Sequence, residues 1–226
     1  MFHWARRNDI LENTPNIDAI SRGKIVHQEK YTFNPEQIKK LLSAADVKMR
    51  AMIWLGLNCG FGCTDCGQLK WKDLDFENSR VKLARNKTGF ARNLPLWPET
   101  IQALKKVPRL GQLVFYTSKG HPWVRTLLKI KGDGERKYTT VNFITSRSSK
   151  LLKKTEIHAP KGTGFYTLRR TAATIAARSG DPFAVQRLLG HVDLTMATRY
   201  VQDVSEQTDR VIKNSRKYVL QGENVA

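Results

Sequence analysis

From Tyr166 to Tyr200 the chain reads YTLRRTAATIAARSGDPFAVQRLLGHVDLTMATRY, a stretch that only a run of short helices joined by tight turns can accommodate. Asp181-Pro182 is an N-cap and first-turn pair: the Asp side chain accepts from free helix amides, and the fixed φ of proline suits the first helical residue. Gly190 is placed to end that helix in the left-handed conformation. Upstream, Leu168, Ala172, Ile175 and Ala176 give the apolar stripe of a preceding helix that stops near Gly180, and Asp193 can cap a further short helix carrying Tyr200. The stretch presents an arginine pair (Arg169, Arg170), a Leu189-Gly190-His191 corner and a tyrosine nine positions after the histidine. A planar cation, a hydrogen-bond donor that can carry charge and a phenol together suit a phosphate diester attacked by tyrosine.

Composition points the same way. The chain of 226 residues carries 39 Lys plus Arg against 20 Asp plus Glu, a formal charge of +19. Such an excess favours a polyanionic partner, and nucleic acid comes first because phosphate neutralisation by Lys and Arg drives its binding, double-stranded DNA being what the resemblance given below implies. A membrane surface is disfavoured, since no long apolar run or strongly basic amphipathic anchor occurs. The polar N-terminus lacks the apolar core of a signal peptide, so the expected location is the cytoplasm, on the nucleoid if the source is bacterial.

Residues 1–30 mix charges with turn formers and read as an extended arm or linker. Order begins at Asn34-Pro35-Glu36-Gln37, with an N-cap, a first-turn proline and a capping-box glutamine, and the helix should turn Ile38, Leu41, Leu42 and Ala45 inward. A second apolar helix is expected from about Met49 to Asn58, a break at Cys59–Gly62, and a short helix from Thr64 to Leu69. Strands at Arg80–Arg85 and Arg92–Leu96 should form a hairpin around Asn86-Lys87-Thr88-Gly89. Pro98-Glu99 opens another helix with Ile101, Leu104 and Val107 buried. The segment from Lys119 to Lys154 is the most basic of the chain, and a last helix is expected from Ser205 to about Val219. Cys59, Cys63 and Cys66 fall at a spacing that would put them on one helical face. An odd count without a nearby fourth ligand makes them packing residues rather than a metal site.

Taken together, the arginine helix, the Leu-Gly-His corner and the spaced tyrosine resemble the catalytic domain of the tyrosine recombinases, the phage integrase family. The likeness covers about residues 31–220. Gln68-Leu69-Lys70-Trp71-Lys72-Asp73-Leu74-Asp75 is similar to the family's Leu-x-Trp-x-Asp-Ile element. The resemblance implies a mainly α fold with a small antiparallel β-sheet and a domain spanning 31–226, with the family's N-terminal core-binding domain absent. It also implies a chemistry: Tyr200 attacks DNA to give a 3′-phosphotyrosyl link, Arg169 and His191 bind the phosphate, and Lys87 protonates the leaving 5′ oxygen. Tyr166 stands where relatives usually have His or Lys. No cofactor and no metal are implied, and a tetramer on DNA is. One position departs further. Counting back seven residues from Leu69, where the family has its first arginine, lands on Gly62, with Asp65 at the acidic position three residues on. Lys70, Lys72 and Arg92 are the candidate replacements. Without one, the expectation is slow or absent cleavage with near-normal DNA binding. A non-catalytic DNA-binding relative or mobile-element remnant and a type IB topoisomerase-like enzyme are the alternative readings.

Overall fold

The computed structural model describes residues 2–10, 31–130, 135–177 and 181–194. In chain order the helices are α1 (Phe2–Arg7), α2 (Pro35–Ala44), α3 (Val47–Cys59), α4 (Cys63–Gln68), α5 (Pro98–Lys105), α6 (Phe143–Lys154), α7 (Tyr166–Ala177) and α8 (Pro182–Leu189). The strands are β1 (Leu74–Asp75), β2 (Arg80–Ala84) and β3 (Ala91–Pro95), in one antiparallel sheet, and β4 (Val124–Ile130) with β5 (Arg136–Asn142), a separate hairpin. The architecture is mainly helical with small antiparallel sheets, as the sequence led us to expect.

The capping signals fold as written. Gln37 donates its backbone N–H to the Asn34 side chain at 2.8 Å, and the Gln37 side chain accepts from Asn34 N–H at 3.1 Å. Leu41 and Ala45 are buried behind them. Helix α3 is capped by Asp46 and apolar on nearly every side; Met52, Leu55 and Cys59 are fully buried, which makes it the central helix of the core. It packs against α5 on one side and α7 on another. The approach to α7 is close because residue 56 is glycine: a Cβ there would lie 3.0 Å from Leu168 Cβ.

In the three-stranded sheet β2 pairs with β3 in the register Val81↔Leu94 and Leu83↔Arg92. The hairpin expected around Lys87 is therefore present, one residue shorter on β2 than expected and displaced by one residue on β3. At its base, Asn58 fastens the end of α3 to the corner between β3 and α5. Its side chain donates to Pro95 O at 3.0 Å and accepts from Trp97 N–H at 2.7 Å and from the Thr100 hydroxyl at 3.0 Å.

Three expectations are corrected. The cysteines do not share a helical face: α3 ends at Gly60, left-handed at φ 61°, so Cys59 belongs to α3 and Cys63 and Cys66 to α4. Cys59 and Cys66 are nonetheless fully buried packing residues, and burial pushes the Cys59 thiol up to about 12. Ile175 is 55% exposed rather than inward. The second half of α7 packs through Ala173 and Ala177 onto Val185 and Leu189 of α8, which rotates the buried face away from Ile175. The basic segment from Lys119 to Lys154, legible in sequence only as charge, contains β4, β5 and α6. The expected extended arm begins with helix α1. Residues 11–30, Tyr200 and the expected Ser205–Val219 helix lie outside the described residues.

Asn58→Ala should lower stability by about 2–4 kcal/mol, because it leaves two donors and a carbonyl in a buried corner without their partner. Urea denaturation with an unchanged slope and a lower midpoint is the expected result. A midpoint equal to the parent's would mean that water replaces the side chain at no cost.

Candidate functional site

Helix α7 carries Arg169 into the core, where it is 1% exposed. A buried guanidinium must find acceptors, and here they are the ends of two helices. One terminal nitrogen, Nη1, donates to Gly60 O at 2.5 Å and the other, Nη2, to Leu189 O at 2.5 Å. Gly60 ends α3 and Leu189 is the last residue of α8, so both carbonyls belong to the negative ends of helix dipoles. Gly190 takes the left-handed conformation, φ 63°, and turns the chain so that His191 Nε2 comes within 3.4 Å of Arg169 Nη2. Guanidinium has only donors, so Nε2 is the acceptor of that contact and the neutral ring carries its proton on Nδ1. The two groups predicted from the Leu-Gly-His corner and the arginine helix thus stand side by side.

The β2–β3 hairpin closes over this corner. Arg85 Nη1 donates to Gly190 O at 3.0 Å and the Thr88 hydroxyl to the same oxygen at 3.2 Å. Lys87, between them in the tip, is exposed. Arg92 occupies an inward-facing position of β3 and is 3% exposed. It is ion-paired through Nη2 with Asp65 at 2.5 Å, lies over the Phe61 ring at 4.8 Å, and its Cδ would be 3.2 Å from a Cβ on Gly190. Asp65 in turn accepts from Gly62 N–H at 2.8 Å, capping α4. Lys70 and Lys72, the other candidate replacements, flank the turn tied to Gln112 and Leu113 instead.

Gly62 has ordinary extended geometry (φ −94°, ψ −176°), and a Cβ there meets nothing closer than 3.7 Å. The strained glycine of the Gly60-Phe61-Gly62 turn is Gly60. Tyr166, at the start of α7, is 45% exposed, with its ring 4.0 Å from that Cβ position and the Arg170 guanidinium 5.5 Å from its ring centre. It lies on the rim of the site. Arg85 was missed by sequence reasoning; nothing in its surroundings marks it before the hairpin is folded. A separate cavity of about 710 Å³, lined by Lys48, Lys106, Lys119, Arg125 and Arg147 among others, includes none of these residues.

Arg85, Arg92 and Arg169 crowd one site, and Asp65 is the carboxylate paired with Arg92 there. Burial holds the Arg169 pKa below its ordinary value, and the charges of Arg85 and Arg92 act the same way while Tyr166 and Asp65 oppose them. Burial, then Arg169, then Arg85 pull His191 down to about 4. An anion entering here would relieve all of these effects at once.

The His191 shift has a definite sign. Its folded pKa lies below the ordinary value, so the unfolded chain takes up the proton first as pH falls. The stability gained by keeping the ring neutral is fully present above about pH 6.5 and is lost progressively toward about pH 4; it amounts to on the order of 3 kcal/mol. His191→Gln should flatten the fall in stability across that window, as measured by urea denaturation at a series of pH values. An unchanged slope would mean that His191 titrates normally.

The chain is similar to known proteins along most of its length. The chain is 26% identical over 223 residues to tyrosine recombinase XerC of Staphylococcus saprophyticus, covering 94% of this chain and 70% of that one. It is 27% identical over 215 residues to a tyrosine recombinase of Pseudothermotoga lettingae, covering 91% and 68%. Among solved structures it is similar to the Tn1549 transposon integrase in complex with a circular intermediate DNA, with a TM-score of 0.66, 22% identity, and coverage of 95% of this chain and 75% of that one. The XerA recombinase superposes with a TM-score of 0.62 at 19% identity, over 84% and 66%. The model of the phage integrase family matches residues 32–207, most of the chain, and the chain belongs to that family.

Proposed function

We propose that this chain is a site-specific recombinase domain that cuts and rejoins duplex DNA through a 3′-phosphotyrosyl intermediate. The observation that carries the reading is the pairing of Arg169 with His191 inside a cluster of guanidinium groups that includes Arg85 and Arg92. The Tyr200 oxygen attacks the scissile phosphorus, the bond to the 5′ oxygen breaks, and the 3′ phosphate remains on the tyrosine. The energy of the phosphodiester is kept in that link, so the reverse attack by a 5′ hydroxyl rejoins DNA without a nucleotide cofactor. Arg169 forks onto the non-bridging oxygens, with His191 and Tyr166 donating beside it. Lys87, on the tip that rests on Gly190, gives its proton to the leaving 5′ oxygen. Assembly as a tetramer on DNA and a cytoplasmic location belong to the same proposal. Among the described residues, no helix is long and apolar enough to cross a membrane.

A second reading, a DNA-binding protein that does not cleave, is favoured by one observation: residue 62 is a glycine and contributes no side chain to the phosphate.

Two measurements test these readings. DNA affinity should fall about 10³-fold or more between roughly 50 and roughly 200 mM salt, the response to release of counterions from six or more phosphates. Absence of binding even at low salt would remove both readings. Covalent trapping on nicked suicide substrates drawn from the ends of candidate elements should be seen with the parent and lost in Tyr200→Phe. Lys87→Ala should slow trapping about 10²–10⁴-fold, and a substrate with sulfur at the 5′ bridging position, whose thiolate leaves without protonation, should restore it. Binding without trapping on any substrate would favour the second reading.

A further inference from the structure

We propose that Arg92 is a phosphate-binding residue of this site, delivering from strand β3 a guanidinium to the oxyanion held by Arg169 and His191. The inference rests on the phosphodiester reading above but is carried by separate observations. Arg92 takes a core-facing position in the ladder opposite Leu83, where an apolar side chain would be the ordinary choice. Its partner there is Asp65, which engages only Nη2. Among the described residues, Nε and Nη1 of Arg92 are buried without a hydrogen-bond partner. An ion pair that served stability alone would leave neither donor unused, since each unpaired buried donor carries a desolvation cost.

Position supports the same assignment. The Arg92 stem runs beside Gly190, whose carbonyl holds the hairpin tip and whose neighbour is His191. The positive charge of Arg92 is felt at Arg169, so the two guanidinium groups share one electrostatic environment. Asp65 cannot neutralise both of them and Arg85 as well. One further anion, bound to the free edge of Arg92 and to Arg169, satisfies the unused donors and the excess charge together. Gly62 fits this arrangement. With no side chain at 62, the Asp65 oxygen away from Arg92 meets the Gly62 N–H, and no second guanidinium competes for that carboxylate. The cation whose absence at residue 62 casts doubt on cleavage is thereby supplied from another element.

The test uses the full chain and orthovanadate, an oxyanion that takes the geometry of a phosphoryl transition state and requires no knowledge of the DNA target. The Nε–H signals of Arg92 and Arg169, assigned by their loss in Arg92→Gln and Arg169→Lys, are followed by NMR during a vanadate titration. Both should shift along one binding curve. Arg92→Gln should weaken vanadate binding about tenfold or more, the scale of one charge-assisted hydrogen bond. The double variant Gly62→Arg/Arg92→Gln should recover much of it, because a Cβ at 62 lies 3.7 Å from Asp65 Oδ2 and an arginine there brings a guanidinium to the same carboxylate. An Arg92 Nε–H that stays still at saturating vanadate, an Arg92→Gln affinity equal to the parent's, or a parent that binds no vanadate would overturn the proposal. If Arg92→Gln does not fold, the signals of the parent still decide. Covalent trapping separates this inference from the reading it rests on. With a parent that traps, Arg92→Gln should lower the rate about 10²-fold or more while DNA affinity changes little, and equal rates would overturn it. If no variant traps, the cleavage reading fails, and the vanadate titration still judges Arg92.

Discussion

Everything at this site hangs on one buried guanidinium. Arg169 is not neutralised by a carboxylate of its own; it is held by the carbonyl ends of α3 and α8, each turned outward by a left-handed glycine. Two helix dipoles converge their negative ends on one cation, a partial neutralisation that leaves the charge available to an anion. The arrangement also explains the local geometry. Without Gly56 the arginine helix could not lie so close to α3, and without Gly60 and Gly190 the two carbonyls could not point at the same group. Structure and binding use the same atoms, so a phosphate must either add to these hydrogen bonds or displace them. A site of this kind is pre-organised by its own fold, which is where electrostatic stabilisation of a transition state is most effective.

The corner is covered in this state. Arg169, His191 and Arg92 are almost inaccessible, and the tip of the β2–β3 hairpin is fastened beside them by Arg85 and Thr88 to a single carbonyl. Two hydrogen bonds to one oxygen are a modest latch, on the order of 1–3 kcal/mol in total. A phosphate diester entering here would compete for Arg85 through its anionic non-bridging oxygens, and the carbonyl is the weaker partner.

The sequence made most of this readable, for physical reasons that differ from residue to residue. Capping chemistry is local, so Asn34, Asp181 and Gly190 could be placed from their neighbours alone. The pairing of Arg169 with His191 spans 22 residues but only two short helices, and turn signals between them leave few ways to fold. Ile175 was misjudged because periodicity reports a face and not which neighbour covers it; α8 turned the buried side toward Ala173 and Ala177. Cys59 and Cys66 are packing residues as read, but the shared helical face that the spacing suggested is interrupted at Gly60. The strands β4 and β5 were hidden by their charge: Arg125, Lys129, Arg136 and Lys137 mask the alternation that marks a strand. Arg92 did carry a signal, since Arg92, Leu94 and Leu96 share one phase of the strand and a charge in that phase asks for a partner. That partner, Asp65, is 27 residues away on another element, and only the folded chain supplies it.

A guanidinium that comes from a strand differs from one that comes from a turn in what it can follow. Arg92 is fixed at three points: the ladder to Leu83, the carboxylate of Asp65 and the face of Phe61. It cannot swing outward to meet a substrate, so the substrate must come to it. The latch residues Arg85 and Thr88 lie beyond the Ala84↔Ala91 pair, at the far end of the hairpin from Asn58. The rung that holds Arg92 therefore lies between the tip and the corner fastened by Asn58. Rigidity is what makes such a placement effective, because a cation that is already oriented and already desolvated needs no reorganisation when charge develops on the phosphate. Gly62 and Arg92 are then two halves of one solution, with no charge at the start of α4 and a guanidinium on the strand beside it.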